Sequence, residues 1–206
     1  MQVTKFTHSC LLVEEEGKAV LFDPGVYTHK ENTLDLEQLK NLDYILITHE
    51  HLDHMFPPLI LDLLNKFPQV KIITNPGAAK ILKDNQIDST QDGDEIVKIT
   101  PVPHEPVFGT APTNWQFDVF NITHPGDSHS FNSNQDILAL PMTAPWGSMV
   151  DAVNLAVKLK PKIVLPIHDW HWKNEAREGM YETVGKYLKE RGIDFVNLTD
   201  KVAVNL

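Results

Sequence analysis

Ile45-Leu46-Ile47-Thr48-His49-Glu50-His51-Leu52-Asp53-His54 opens on an apolar, β-branched run and ends in four side chains able to ligate a metal. A short apolar run of this composition reads as a buried strand. His49 and His51 lie two residues apart, so in an extended chain they point to the same side. Asp53 and His54 follow once the chain can turn, and adjacent residues can then aim at different points. Two imidazoles can therefore hold one metal while a carboxylate and an imidazole hold a neighbour. Neutral imidazole with carboxylate suits zinc, iron or manganese. A single surface His-x-His carries no such meaning. Three histidines and an aspartate within six residues bring no packing benefit, and a strand end is where sites are commonly built. His49-Glu50 does not begin the zinc-protease pattern His-Glu-x-x-His, because position 53 is Asp.

The 206 residues are most simply one domain, 1–206, long enough to bury a sizeable core. A hydrophobic fraction of 42% and a charged fraction of 22% are ordinary for a soluble globular protein. No apolar run approaches the roughly 20 residues a membrane span needs. Met1-Gln2-Val3-Thr4-Lys5 starts a strand rather than a signal peptide. The lone cysteine, Cys10, rules out an internal disulfide framework, so a cytoplasmic protein is expected. The net charge of -10, with Arg177 and Arg191 the only arginines, argues against a nucleic-acid partner. Two divalent ions would offset about four of those negative charges. The expected partner is a small-molecule substrate, with no nucleic acid and no membrane; a homo-oligomer is left open.

Outward from the cluster, residues 2–7, 10–14 and 18–23 read as short strands, the last two joined at Glu14-Glu15-Glu16-Gly17-Lys18. Asp23-Pro24-Gly25 is turn-forming. Residues 28–43 read as a polar connection with room for a helical turn around Leu34, Leu36 and Leu39. Phe56-Pro57-Pro58 begins a helix running to about Phe67, with a stripe of Leu59, Leu63, Leu64 and Phe67. A strand at 70–74, a helix at 76–82 and a strand at 95–101 follow. The last of these runs into His104. Residues 105–116 read as a loop with Phe108 and Trp115, either a cover for substrate or partly buried. A strand at 117–123 leads to His124-Pro125-Gly126-Asp127-Ser128-His129. A strand at 136–141, a helix at 151–160 and a strand at 163–167 end in His168. A final helix spans 175–191, with Gly192 as its cap, and short strands at 195–198 and 202–204 close the chain.

His49-x-His51-x-Asp53-His54 resembles the signature of the metallo-β-lactamase superfamily. The resemblance implies an α/β fold, a four-layer αββα sandwich, with a one- or two-metal site at one edge. It also implies further ligands downstream. Those are His104 as the third imidazole for the first metal, Asp127 as a carboxylate between the metals, and His168 with Asp53 and His54 for the second. Asp23 would orient a metal-binding histidine. Thr7-His8-Ser9-Cys10-Leu11-Leu12-Val13 resembles the N-terminal glycine-histidine segment of the ascorbate-6-phosphate-lactonase-like branch, with Thr7 in the glycine's place. That suggests His8 faces the site. His124 and His129 are candidates for contacts beyond the ligands, with His129 preferred.

The expected cofactors are two divalent metal ions, zinc foremost, with manganese or iron also open because the donor set is all nitrogen and oxygen. Such ions lower the pKa of bound water from about 15.7 to about 7 and can polarise a carbonyl or phosphoryl oxygen. The expected activity is a metal-dependent hydrolase that uses this hydroxide to cleave an ester, lactone, amide or phosphoester. Asp53, His129 and His8 are the candidate catalytic groups. The alternatives are a di-iron redox protein of the same fold and a non-enzymatic metal-binding protein.

Overall fold

A computed structural model describes Met1–Leu206. The strands are β1 (Gln2–Lys5), β2 (Leu11–Glu15), β3 (Lys18–Phe22), β4 (Tyr44–Ile47), β5 (Lys71–Thr74), β6 (Val97–Pro103), β7 (Thr113–Val119), β8 (Ile122–His124), β9 (Ile137–Pro141), β10 (Ile163–Ile167), β11 (Asp194–Phe195) and β12 (Ala203–Asn205). The helices are α1 (Val26–Lys30), α2 (Pro57–Lys66), α3 (Pro76–Asp84), α4 (Met149–Leu159) and α5 (Asn174–Lys189). No helix is long and apolar enough to cross a membrane.

Two six-stranded mixed sheets form, in the orders β12-β1-β2-β3-β4-β5 and β11-β10-β9-β8-β7-β6. Alternation along the strands explains how they stack. Leu11, Val13, Val20, Phe22, Leu46 and Ile73 of the first sheet meet Phe117, Ile137, Ala139, Leu165 and Ile167 of the second in one core. The residues between them face outward, Leu12, Leu21, Ile45 and Ile47 against α2 and α3, and Leu138, Leu140 and Val164 against α4 and α5. Strands buried on both faces read as unbroken apolar runs, as Ile45-Leu46-Ile47 does. The result is the four-layer αββα arrangement. Each fully buried Leu, Ile or Phe contributes about 1.5–3 kcal/mol, so these three cores hold a frame on which a polar site can be carried.

Strand direction sets where the site can be. β1 and β3 run parallel, each being antiparallel to β2, and β4 and β5 continue in that direction. β6, β8, β9 and β10 share one direction in the other sheet. The carboxyl ends of these strands are followed by His8, Asp23, His49, His104, Asp127 and His168.

Several elements differ from the sequence expectation. The strand expected over 117–123 is two strands, β7 and β8, reversing at Phe120-Asn121, where Phe120 has φ +50° and Val119 pairs with Ile122. The reversal turns β8 round so that its end delivers Asp127. β7 also starts at Thr113, which puts Trp115 in the core rather than in a covering loop. Phe108 instead stands free at a tight turn, with φ +50° there and +82° at Gly109. Residues 28–43 are not wholly a connection, because α1 includes Thr28–Lys30. α5 ends at Lys189, and Gly192, at φ +75°, accepts the chain reversal two residues beyond the cap Glu190.

Candidate metal centre

The turn after β4 delivers His49, His51, Asp53 and His54 to two groups of donors. His49, His51, His104 and Asp127 have ligand atoms within 4.8 Å of one another, and so do His8, Asp53, His54 and His168. Asp127 touches both. Its Oδ1 lies 3.1 Å from His54 Nε2, and its Oδ2 lies 3.3 Å from His168 Nε2, 3.5 Å from His104 Nε2 and 3.9 Å from His49 Nε2.

The imidazoles are aimed from behind. Asp23 Oδ2 accepts from His54 Nδ1 at 2.7 Å, and the Thr143 carbonyl accepts from His168 Nδ1 at 2.7 Å. The Glu105 carbonyl accepts from His104 Nδ1, and Thr48 Oγ1 lies 3.0 Å from His49 Nδ1. With Nδ1 engaged, Nε2 is the nitrogen left for the centre, the arrangement by which protein groups orient metal-binding histidines. Asp23 also accepts from Thr48 N and Oγ1, both at 2.8 Å, so one carboxylate ties β3, the start of the ligand turn and His54 together.

Whether a metal fits can be judged from the donors. His54 Nε2, His104 Nε2, His168 Nε2 and Asp127 Oδ1 are all buried and lack a hydrogen-bond partner. His54 Nε2 lies 3.1 Å from Asp127 Oδ1, and His168 Nε2 and His104 Nε2 lie 3.3 and 3.5 Å from the neighbouring Oδ2. Buried polar groups are nearly always satisfied, and four orphans converging on one place are what cations would satisfy. Backbone strain gathers here too. His8, Asp23 and His168 occupy the left-handed region at φ +61°, +45° and +59°, each at a cost of about 1–3 kcal/mol that the surrounding packing must offset.

Charge follows from the same crowding. Burial pulls His54 down, but Asp127, Asp23 and Asp53 outweigh it and hold the imidazole well above its ordinary value of 6.5. Burial lowers His49, and His54 beside it lowers it further. Burial raises Asp53, yet His54 and His8 bring it below the usual carboxylate range. His8 is pushed down to about 3 by burial and by His168. A raised imidazole favours the metal-free fold fully below its unfolded pKa, and that contribution is lost as pH rises through the folded value. At neutral pH His54 thus keeps a proton that a bound ion must expel. Metal loading is therefore expected to release a proton and to tighten as pH rises from about 6 to about 8. Calorimetric titration in buffers of differing ionisation enthalpy measures this; heats independent of buffer would contradict it.

Not every candidate histidine joins the groups. His124 is buried in β8, stacks on Phe22 at 5.1 Å and lies 3.0 Å from the Ser9 carbonyl through Nε2, so it is part of the core rather than a contact for substrate. His129 lies outside both donor groups, with Nε2 2.9 Å from the Pro141 carbonyl and its ring edge-on to Trp146 at 5.0 Å. Cys10 is core, its thiol raised by burial. Residues outside the expected ligand set also matter. Trp146 Nε1 donates to Asp127 Oδ2 at 3.1 Å. Trp170 stacks on Tyr27 at 3.9 Å beside His8, and its backbone N–H donates to His8 Nδ1 at 3.4 Å.

Comparison with known proteins agrees with this geometry. The beta-lactamase superfamily domain matches residues 2–168. The chain is 31% identical to protein Rv0786c of Mycobacterium tuberculosis, covering 99% of both chains. It is 26% identical to a UPF0173 metal-dependent hydrolase of Carboxydothermus hydrogenoformans, covering 91% of this chain and 93% of the relative. Among solved structures, Igni18, a metallo hydrolase from the archaeon Ignicoccus hospitalis, superposes with a TM-score of 0.68 at 17% identity, covering 100% of this chain and 98% of that one. With the superfamily domain spanning most of its length and the donors gathered at one edge of the sandwich, this chain belongs to the metallo-β-lactamase superfamily.

Proposed function

We propose that the protein hydrolyses an ester, lactone or phosphoester of a small molecule at a centre of two divalent ions. The observation that carries this reading is the convergence of four buried, unpartnered donor atoms, one from Asp127 and three from histidines. His49, His51 and His104 would hold one ion, and Asp53, His54 and His168 the other, with Asp127 between them. His8 lies beside the second group, its ring nitrogens taken up by Asp53 and the Trp170 N–H. Zinc suits these nitrogen and oxygen donors, as do manganese and iron. When bound, such ions supply a water acidic enough to attack at neutral pH and polarise the oxygen of the scissile group.

The chain's own groups do the rest. Asp53 is the partly open carboxylate of the site, its side chain 26% exposed, while Asp127 is 4% exposed. Asp53 is therefore the group placed to orient an incoming water. His8 Nε2, 3.2 Å from Asp53 Oδ2, holds that carboxylate in place. Trp146 fixes the outer oxygen of Asp127, and His129 packs against Trp146. His129→Ala is accordingly expected to retain both metals but lower turnover about tenfold, the lower end of what loss of a supporting partner costs. Metal analysis beside steady-state kinetics tests it, and loss of an ion in that variant would make His129 a ligand.

The experiment for the whole reading is metal analysis of the purified protein before and after chelation, followed by a panel of small esters, lactones and phosphoesters. About two ions per chain with activity restored by re-addition is the expected result. The lactone arm tests the branch resemblance carried by Thr7–Val13. Two irons with redox colour and no hydrolysis would favour the di-iron alternative; metal without turnover on any arm would favour a binding protein. The same reading takes the chain as one cytoplasmic domain acting on a small molecule, with no nucleic-acid partner, in keeping with its net charge of -10.

A further inference from the structure

Lys5 is among the largest fully buried side chains, and Asp169 is 1% exposed. Lys5 Nζ donates to both oxygens of Asp169 at 2.7 Å and to the Pro166 carbonyl at 3.1 Å, which uses all three of its donors. Asp169 also accepts from Tyr181 Oη at 2.8 Å, with Arg177 3.6 Å away. Taking a lysine and an aspartate wholly out of water costs about as much as their attraction returns, and apolar replacements are often as stable. Stability alone gives no reason for this pair.

Its neighbours supply one. Asp169 directly follows His168, and Lys5 lies three residues before His8. Both histidines occupy the left-handed region. The His168 N–H donates to the His8 carbonyl at 3.1 Å, and the Trp170 N–H donates to His8 Nδ1 at 3.4 Å. Four links thus lace the end of β1 to the end of β10, two of them made by Lys5. The two imidazoles meet with ring centroids 4.0 Å apart. No link of this set reaches His49, His51 or His104.

We infer that the buried Lys5–Asp169–Tyr181 cluster is a clamp that positions His8 and His168 and thereby sets the affinity of the second metal site alone. This deepens the two-metal reading and rests on it. The test uses the full chain, stripped of metal and titrated with Zn²⁺ against a chromophoric chelator. The double variant Lys5→Met/Asp169→Leu removes both charges together and strands neither. It is expected to fold but to melt, metal-free, a few degrees below the wild type, because Tyr181 Oη and the Pro166 carbonyl each lose a partner. Its first zinc should bind within about threefold of wild type, and its second should weaken about 10- to 100-fold, the range seen when groups supporting metal ligands are lost. Tyr181→Phe removes one hydrogen bond to Asp169 and should weaken the second zinc severalfold, which keeps the idea testable if the double variant does not fold. Unchanged second-zinc affinity in the folded variants would overturn the clamp. So would equal weakening of both zincs with a lowered melting temperature, the mark of a merely structural pair. A wild type that takes up one zinc would instead fail the two-metal reading, before any variant is compared.

Discussion

Asp127→Ala is expected to lose metal and activity together. The carboxylate lies between the two sets of histidines, 3.1 Å from His54 and 3.3–3.9 Å from His168, His104 and His49. Alanine leaves those imidazoles with no anion between them. Two cations held near one another then repel with nothing bridging them. At least one ion per chain should be lost, and kcat/KM should fall about a thousandfold or more, equivalent to ~4 kcal/mol of transition-state stabilisation. Asp127→Asn separates charge from shape. It should retain the fold and part of the metal while losing most of the activity. Metal counting on the purified variants decides the matter, and full occupancy of both sites in Asp127→Ala would show that the carboxylate does not bridge.

Gly25→Ala is expected to damage the site from outside it. Gly25 has φ -88° and ψ 178°, which any residue can adopt, so the constraint is space. A Cβ there would sit 1.8 Å from the Asp53 carbonyl oxygen, 2.2 Å from its carbon and 2.8 Å from His54 N. All three are main-chain atoms and cannot rotate away. The ligand turn must shift, although Val26 N donates to the Leu52 carbonyl and Phe56 N to the Pro24 carbonyl to keep it there. Overpacking of this kind costs about 1–3 kcal/mol, or roughly 3–10 °C in melting temperature for a chain of this size. Binding of the second metal, proposed above to be held by Asp53 and His54, should weaken more than binding of the first. Gly17→Ala is the control, since it faces open space at φ +77° and should cost stability without touching metal binding. Wild-type metal content and melting temperature in Gly25→Ala would refute the steric argument.

The residues that sequence reading singled out and those that structure added differ in kind. Asp23, the 49–54 cluster, His104, Asp127 and His168 each follow an apolar run directly or within a few residues, so strand pattern and ligand type are both readable along the chain. Strands buried on both faces leave little doubt where they end, because polar side chains are excluded until the edge is reached. His124 and His129 were legible only as histidines near a ligand. The sequence holds no mark that one ring stacks on Phe22 inside the core while the other is tied to the Pro141 carbonyl.

What the chain determined by itself is therefore the class of fold and most residues of the candidate metal centre, since both depend on local pattern and residue chemistry. The resemblance already implied two groups of donors and a His8 facing the site; tertiary structure alone decided which group His8 joins, the contact of Trp146 with Asp127 and the pairing of Lys5 with Asp169 across 164 residues. Those depend on which strands lie side by side and which way each runs. The reversal at Phe120-Asn121 is the clearest case. Without it β8 would not return to the site's edge, and Asp127 would have no place between the two sets of histidines. Periodicity reports which face of a strand is buried, but it is silent on the direction from which a neighbouring strand arrives.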